Sequence, residues 1–137
     1  MSEFWDWAVA AYARPGVAEL CLDLQDSHNQ NVPLLLWAIW RGGDAAAALA
    51  LARQWEDEVV GPLRQARRNL KPYGRFEALR ERVKAVELEA ERTLMAELER
   101  LAGAVADPGA LETVTSAWGG SPPAEALAGL RAAITAA

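Results

Sequence analysis

The sequence predicts an all-α fold, a single-domain helical bundle of about six or seven helices around a buried central helix at residues 32–41. Three observations carry this reading. The stretch from Val17 to Trp40 passes from an amphipathic segment through a polar loop into Val32-Pro33-Leu34-Leu35-Leu36-Trp37-Ala38-Ile39-Trp40, which has no polar side. A helix that is apolar all round belongs inside a bundle, and a segment this short falls well below the ~20 residues that span a bilayer. A second stretch spaces Phe76, Leu79, Val83, Val86, Ala90, Leu94, Leu98, Leu101 and Val105 mostly by threes and fours, the period of one helical face. Cap residues and glycine-proline stops also divide the chain at helical intervals.

Taken in order, Ser2 is the expected cap of a first helix to about Ala13, ended by Arg14-Pro15-Gly16. Glu3, Asp6 and Ala10 share one narrow face, which leaves an apolar arc wider than one neighbouring helix requires. That arc fits a groove between two helices; the alternative is that Trp5 or Trp7 meets another protein or a second copy of the chain. In the second helix Val17, Leu20, Cys21 and Leu24 line the inner face. Asn31 caps the central helix, Pro33 stands near its first position, and Arg41-Gly42-Gly43 stops it. Asp44 caps an alanine-rich helix to about Val60, with Leu49, Ala52, Trp55 and Val59 inward and Glu56, Asp57 and Glu58 solvated.

Gly61-Pro62 then predicts a break or kink, because proline inside a helix removes a hydrogen bond and crowds the preceding turn. The segment Phe76 to Val105 predicts the longest helix, which either closes the bundle or overruns it into an antiparallel contact with a second subunit. Residues 1–106 are the expected core domain. The Ala-, Gly- and Pro-rich remainder, 107–137, reads as an extension packed on that core. In it Asp107-Pro108 starts a short helix, a turn follows at 119–123, a last helix closes the chain, and Trp118 is the anchor.

A chain of 137 residues is long enough to bury a core without disulfides or metal. The single Cys21 lies on the apolar face of a helix and reads as a reduced, buried thiol. Glu3 and Asp6 stand where a signal peptide would carry basic residues, so the expected location is cytoplasmic, without a membrane segment. A net charge of -5 argues against general nucleic-acid affinity.

Charge is unevenly divided. From Pro62 to Lys84, eight cations face only Glu77 and Glu81, a local +6 that leaves -11 on the rest of the chain. Arg64, Arg67, Arg68 and Lys71 recur on one helical face with no acids between them to form i,i+4 pairs. Such a face wants a negative partner, either internal, from Glu19, Asp23, Asp26 or the later glutamates, or external. Asp26 sits near a helix C-terminus, where the macrodipole disfavours negative charge, so backbone N–H groups of the loop 27–31 or an arginine should compensate it. Asp23 and Asp26, at i and i+3, form a DxxD pair that resembles the metal motif of prenyl-diphosphate enzymes. Those enzymes need a larger cavity and a second acidic motif, so no metal or other cofactor is expected. Glu87 and Glu91 read as solvated, or as partners for the arginine face. His28, the only histidine, reads as an exposed loop residue. Candidate binding residues are therefore Asp23, Gln25, Asp26, Asn31, Arg64, Arg67, Arg68 and Lys71, and no catalytic set stands out.

The segments Phe4-Trp5-x-Trp7-Ala8, Pro15-Gly16-Val17-Ala18, Cys21-Leu22-x-Leu24-Gln25-Asp26 and Asn31-Val32-x-Leu34-Leu35-Leu36-Trp37 resemble the signature of a family of short proteobacterial proteins catalogued as a domain of unknown function. A looser likeness continues through Trp55, Arg67-Arg68 and Leu70-Lys71, so it covers about the first hundred residues. The resemblance implies no activity. Its pattern has glycine where this chain has Asn29, which implies a left-handed backbone there, since Asn tolerates that conformation best after Gly. It also has asparagine at the position of Pro33 and an aromatic residue at that of His28, which weakens any catalytic role for the histidine.

Two function classes follow. The first is a non-enzymatic cytoplasmic adaptor or regulator with a protein partner, or as a homodimer, using the arginine face. It rests on the wide apolar first helix, the unbalanced basic face and the lack of a nucleophile with an accompanying base. The second is a binder of a small or phosphorylated molecule, or an enzyme, with Asp23, Gln25, Asp26 and Asn31 opposite Arg67 and Arg68. A buried acid–arginine cluster beside a cavity would favour the second, and arginines on an open convex surface the first.

Overall fold

The computed structural model describes residues 2–119 and 122–135; within the turn expected at 119–123, Gly120 and Ser121 lie outside the described residues. The helices are α1 Glu3–Tyr12, α2 Val17–His28, α3 Val32–Trp40, α4 Ala45–Trp55, α5 Gly61–Leu70, α6 Glu77–Glu99, α7 Ala110–Trp118 and α8 Ala124–Thr135. A π turn, Glu56–Val60, carries α4 into α5 without interruption. The eight segments are therefore seven rods, and no strand occurs among the described residues. The protein is an all-α single domain, and no helix among the described residues is long and apolar enough to cross a membrane.

α3 is the centre. Its side chains from Leu34 to Ala38 are buried, and α1, α2, α4, α6 and α7 all pack on it. Trp37 is wholly enclosed, and Phe4 of α1 stacks on Trp40 with ring centroids 4.9 Å apart. The expected caps form: Ser2 Oγ accepts from Trp5 N–H at 3.1 Å, Asn31 Oδ1 from Leu34 N–H at 3.0 Å, and Asp44 Oδ1 from Ala47 N–H at 3.1 Å. Asn29 is the one non-glycine residue with positive φ among the described residues, at 53°, as the family resemblance implied.

Gly61-Pro62 does not break the helix; the distortion expected there takes the form of a π turn. Pro62 has no N–H to give the preceding turn, and its ring crowds that turn. One turn widens instead, and Gly61 N–H bonds to the Glu56 carbonyl, five residues back, the π pattern. A Cβ on Gly61 would stand 2.5 Å from that oxygen, so glycine is needed for close approach.

The longest helix is shorter than expected and ends at Glu99. Beyond it the chain docks along residues 41–44, with Gly103 N–H on Gly42 O at 2.9 Å, Asp44 N–H on Leu101 O at 3.2 Å and Asp107 N–H on Arg41 O at 2.8 Å. Gly43 permits this approach, since a Cβ there would meet Leu101 O at 2.3 Å. Only the C-terminal half of the expected seam reaches the core, through Ala90, Leu94 and Leu98, joined by Met95. Leu79 and Val86 are exposed and Val105 is 82% exposed, because the N-terminal half of α6 leaves the core and pairs with α5 as a hairpin. α7 packs on α3 and α4, and α8 on α2. Arg131 of α8 holds Glu112 of α7 by two hydrogen bonds of 2.9 and 3.2 Å, which keeps that carboxyl below its usual range.

Trp37→Ala should therefore cost about 3–5 kcal/mol by opening a cavity at the most crowded point of the core. Gly61→Ala should cost about 1–3 kcal/mol by forcing apart the π turn, whereas Val105→Ala should stay within about 0.5 kcal/mol of wild type; urea denaturation followed by circular dichroism checks all three.

Candidate functional site

No residue of α5 is fully buried, and charge contributes to holding the hairpin of α5 and α6. Glu87 of α6 is only 6% exposed, and burying a lone carboxylate is costly unless it is paired. Arg67 pairs with it bidentately, Nε to Oε2 at 2.6 Å and Nη2 to Oε1 at 3.3 Å. Arg64 Nε lies 3.5 Å from the same carboxylate, and Arg64 Nη1 donates to Glu56 Oε1 of the π turn at 2.7 Å. Glu56, Arg64, Glu87 and Arg67 thus form a ladder of alternating charge across three elements. Hydrogen bonding to Glu87 raises the pKa of Arg67 further.

Beside this ladder opens a cleft of about 610 Å³. Its rim is the end of α2, the loop Asn29–Asn31, the first residues of α3, the α4–π–α5 rod, α6 and Trp118. Of the candidate residues, Gln25, Asp26, Asn31, Arg64 and Arg68 line it; Asp23, Arg67 and Lys71 do not. Asp23 lies one turn earlier on α2, where its carboxylate accepts from Ser27 Oγ at 3.1 Å and stands 4.0 Å from His28 Nε2. Arg67 is drawn away by Glu87, and Lys71 is exposed past the end of α5. The expected opposition of Asp23 to Arg67 is therefore replaced by one of Gln25, Asp26 and Asn31 to Arg64 and Arg68.

Two further expectations are corrected. Asp26 receives only the Gln25 Nε2 donor, at 3.5 Å, and no backbone N–H or arginine among the described residues. α2 runs on through His28, so the histidine is a half-buried helix residue rather than an exposed loop one.

Pattern reading missed Arg53, Glu56, Asp57, Glu91 and Trp118 on this cleft. Trp118 Nε1 donates to Asn29 O at 2.8 Å, Gln30 Nε2 to Gly119 O at 2.9 Å and Arg53 Nη2 to Ala117 O at 3.0 Å. The Arg53 guanidinium also lies 4.6 Å above the Trp118 ring. These contacts tie the polar loop to α7, and α7 to α4. The role of Trp118 as anchor was legible in the sequence; its target, a backbone carbonyl of a left-handed residue, was not.

The charges left over in the cleft are of both signs. Arg68 and Asp57 have no side-chain hydrogen bond or ion pair among the described residues. They stand eleven residues apart on one rod, about 16 Å at ~1.5 Å per residue, too far to neutralise each other. The Glu91 carboxyl is raised above its ordinary value, chiefly by burial and next by the neighbouring charge of Glu87, with Arg64 and Arg67 pulling it back only in part. Cys21 is buried and pushed up to about 11 by desolvation, so it is a protonated thiol at neutral pH.

Fold and site together define a small all-helical protein with a mixed-charge cleft beside a half-buried acid–arginine ladder. The chain belongs to the family described as "Protein of unknown function (DUF2390)", whose model matches residues 3–98. That span holds every cleft residue except Trp118. No curated protein and no solved structure matches the chain.

Glu91 provides a test of the electrostatics. Below the ordinary carboxyl value of 4.5 both folded and unfolded states hold its proton; as pH rises through the raised folded value, the wild type loses stability that a neutral side chain keeps. Glu91→Gln should therefore melt higher than wild type at pH 7, and the gain should vanish below pH 4.5 in thermal melts across that range.

Proposed function

We propose that the protein is a binding protein for a small zwitterionic molecule, held in the cleft between the Gln25–Asn31 segment and the Arg64–Arg68 face. The observation that carries this is the mixed charge of one cleft, whose walls hold Arg68, without an ion-pair partner among the described residues, together with the carboxylates of Asp26 and Asp57. Arg68 suits an anionic group, since guanidinium matches phosphate or carboxylate bidentately. Asp57 and Asp26, which line the same cleft, suit a cationic one. Gln25, Asn29 and Asn31 supply neutral donors and acceptors between them. The half-buried ladder beside the cleft supports this reading over the adaptor, because Arg64 and Arg67 are spent on Glu56 and Glu87 and are not offered to a protein. A lone buried Cys21, with no second cysteine for an internal disulfide, supports a cytoplasmic setting.

Docking of an acidic protein, or of a second copy of the chain, has one observation in its favour. The far end of the hairpin exposes Tyr73, Phe76, Leu79 and Val86 among Lys71, Arg82 and Lys84, which have no ion-pair partner among the described residues. Apolar side chains ringed by unpaired cations fit an acidic partner with an apolar centre. Arg82→Glu/Lys84→Glu would abolish such an association, read by affinity capture and by light scattering, and leave the cleft unaltered.

Phosphocholine, which carries both charges, should raise the melting temperature more than choline or inorganic phosphate at equal concentration. Arg68→Ala should weaken its binding about ten- to a hundredfold through loss of a charge-assisted bond, and a combined Asp26→Asn/Asp57→Asn variant should remove the preference for the zwitterion over phosphate; equal responses to all three probes would refute the reading.

A further inference from the structure

Four of the large apolar side chains that the protein exposes, Val9, Tyr12, Leu22 and Leu88, are not scattered. They border a single groove of about 580 Å³ between α1, α2 and α6, floored by Leu36 and Met95. Exposed apolar surface gathered in one concave place marks a binding region rather than random exposure. The groove is not separate from the cleft. Gln25, Val32, Pro33 and Glu91 line both, so the two meet across the first turn of α3 and one face of α6. Polarity changes along the shared trough: the cleft end carries Arg64, Arg68, Asp26 and Asp57, while the groove end carries aliphatic and aromatic side chains with Gln25 and Glu91 only at the junction. Glu91, held neutral more readily than an ordinary carboxyl by burial, marks the change from wet to dry.

We propose that cleft and groove form one site for a single-chain amphiphile, with its zwitterionic head in the cleft and its apolar chain along the groove. This deepens the reading above and rests on it for the head group. Neither half fits the whole of another occupant. An apolar protein segment would leave Arg68 and Asp57 without partners, and a purely polar metabolite would leave Val9, Tyr12, Leu22 and Leu88 in water. Chain and head are joined at the first turn of α3, where Pro33 presents no N–H and Asn31 already satisfies Leu34 N–H, so the wall past which the chain runs makes little demand for hydrogen bonds.

The test uses calorimetry on the full chain with dodecylphosphocholine kept below its micelle concentration, phosphocholine, and dodecyl maltoside. Each methylene buried should tighten binding roughly fourfold, so dodecylphosphocholine should bind far more tightly than phosphocholine. Leu88→Asp, on an exposed site that the fold does not need, should remove most of that gain and leave phosphocholine binding unchanged, while Arg68→Ala should weaken both phosphocholine ligands. Equal affinity for phosphocholine and dodecylphosphocholine would overturn the amphiphile and leave the cleft reading intact. Equal affinity for dodecylphosphocholine and dodecyl maltoside, indifferent to Arg68→Ala, would overturn the head-group assignment and with it the cleft reading. A concentration-dependent dimer broken by Leu88→Asp, with no probe bound, would give the groove to a second copy and overturn the proposal.

Discussion

Everything in this fold answers to one constraint, a nine-residue helix that has no side fit for water. α3 must be covered all round, and five helices gather to do it. Each supplies one apolar stripe: Phe4, Ala8 and Ala11 from α1, Val17, Cys21 and Leu24 from α2, Ala48 and Ala52 from α4, Leu94, Met95 and Leu98 from α6, and Leu111 and Val114 from α7. Alanine on α4 lets that rod come close, and the bulk comes from α3 itself. The same crowding fixes where polarity can appear. A helix entered from a polar loop has a hydrated end at Asn31, and the cleft and the groove meet at the turn that follows.

α6 is twice committed. Its second half is spent on α3, and its first half runs past the core with nothing apolar large enough to cover it. α5 covers it instead, and it brings charge. Glu87 sits where the two commitments meet, buried enough to need Arg67 and Arg64. Such a pair is weak support for stability, since desolvation offsets much of its attraction, but it fixes register: a slip of α5 by one turn would strand a buried carboxylate. This is why the basic face does not behave as a free patch. Two of its members are consumed by the hairpin, Arg68 is turned to the cleft, and Lys71 is left at the tip.

Legibility in the sequence follows the range of the interactions. The caps at Ser2, Asn31 and Asp44 and the apolar central helix are local, each decided within a turn or two of chain, and each forms as read. The left-handed turn at Asn29 came from resemblance and also forms. The length of α6 was misjudged because its apolar period continues to Val105 while the helix stops at Glu99; what stops it is the docking of residues 101–107 on Gly42 and Gly43, a pairing of distant glycines that periodicity cannot register. The candidate site was half legible. Gln25, Asp26, Asn31, Arg64 and Arg68 face one cleft, but Arg53, Glu91 and Trp118 arrive there from remote segments. Asp23 and Arg67 leave it for nearer partners.

Gly61-Pro62 is the most instructive position because the Glu56–Arg64 contact depends on how the chain passes it. In an unbroken α-helix, residues eight apart differ by about 80° around the axis, at ~100° per residue, so Glu56 and Arg64 would diverge. A π turn absorbs one residue, and the remaining seven steps bring the difference to about 20°. Glu56 and Arg64 then share a face, at the 2.7 Å observed, and Glu56 is taken out of solvent into the ladder. Proline supplies the reason for the widened turn and glycine makes it possible. The dipeptide that reads as punctuation between two helices instead turns one rod so that Glu56 meets Arg64.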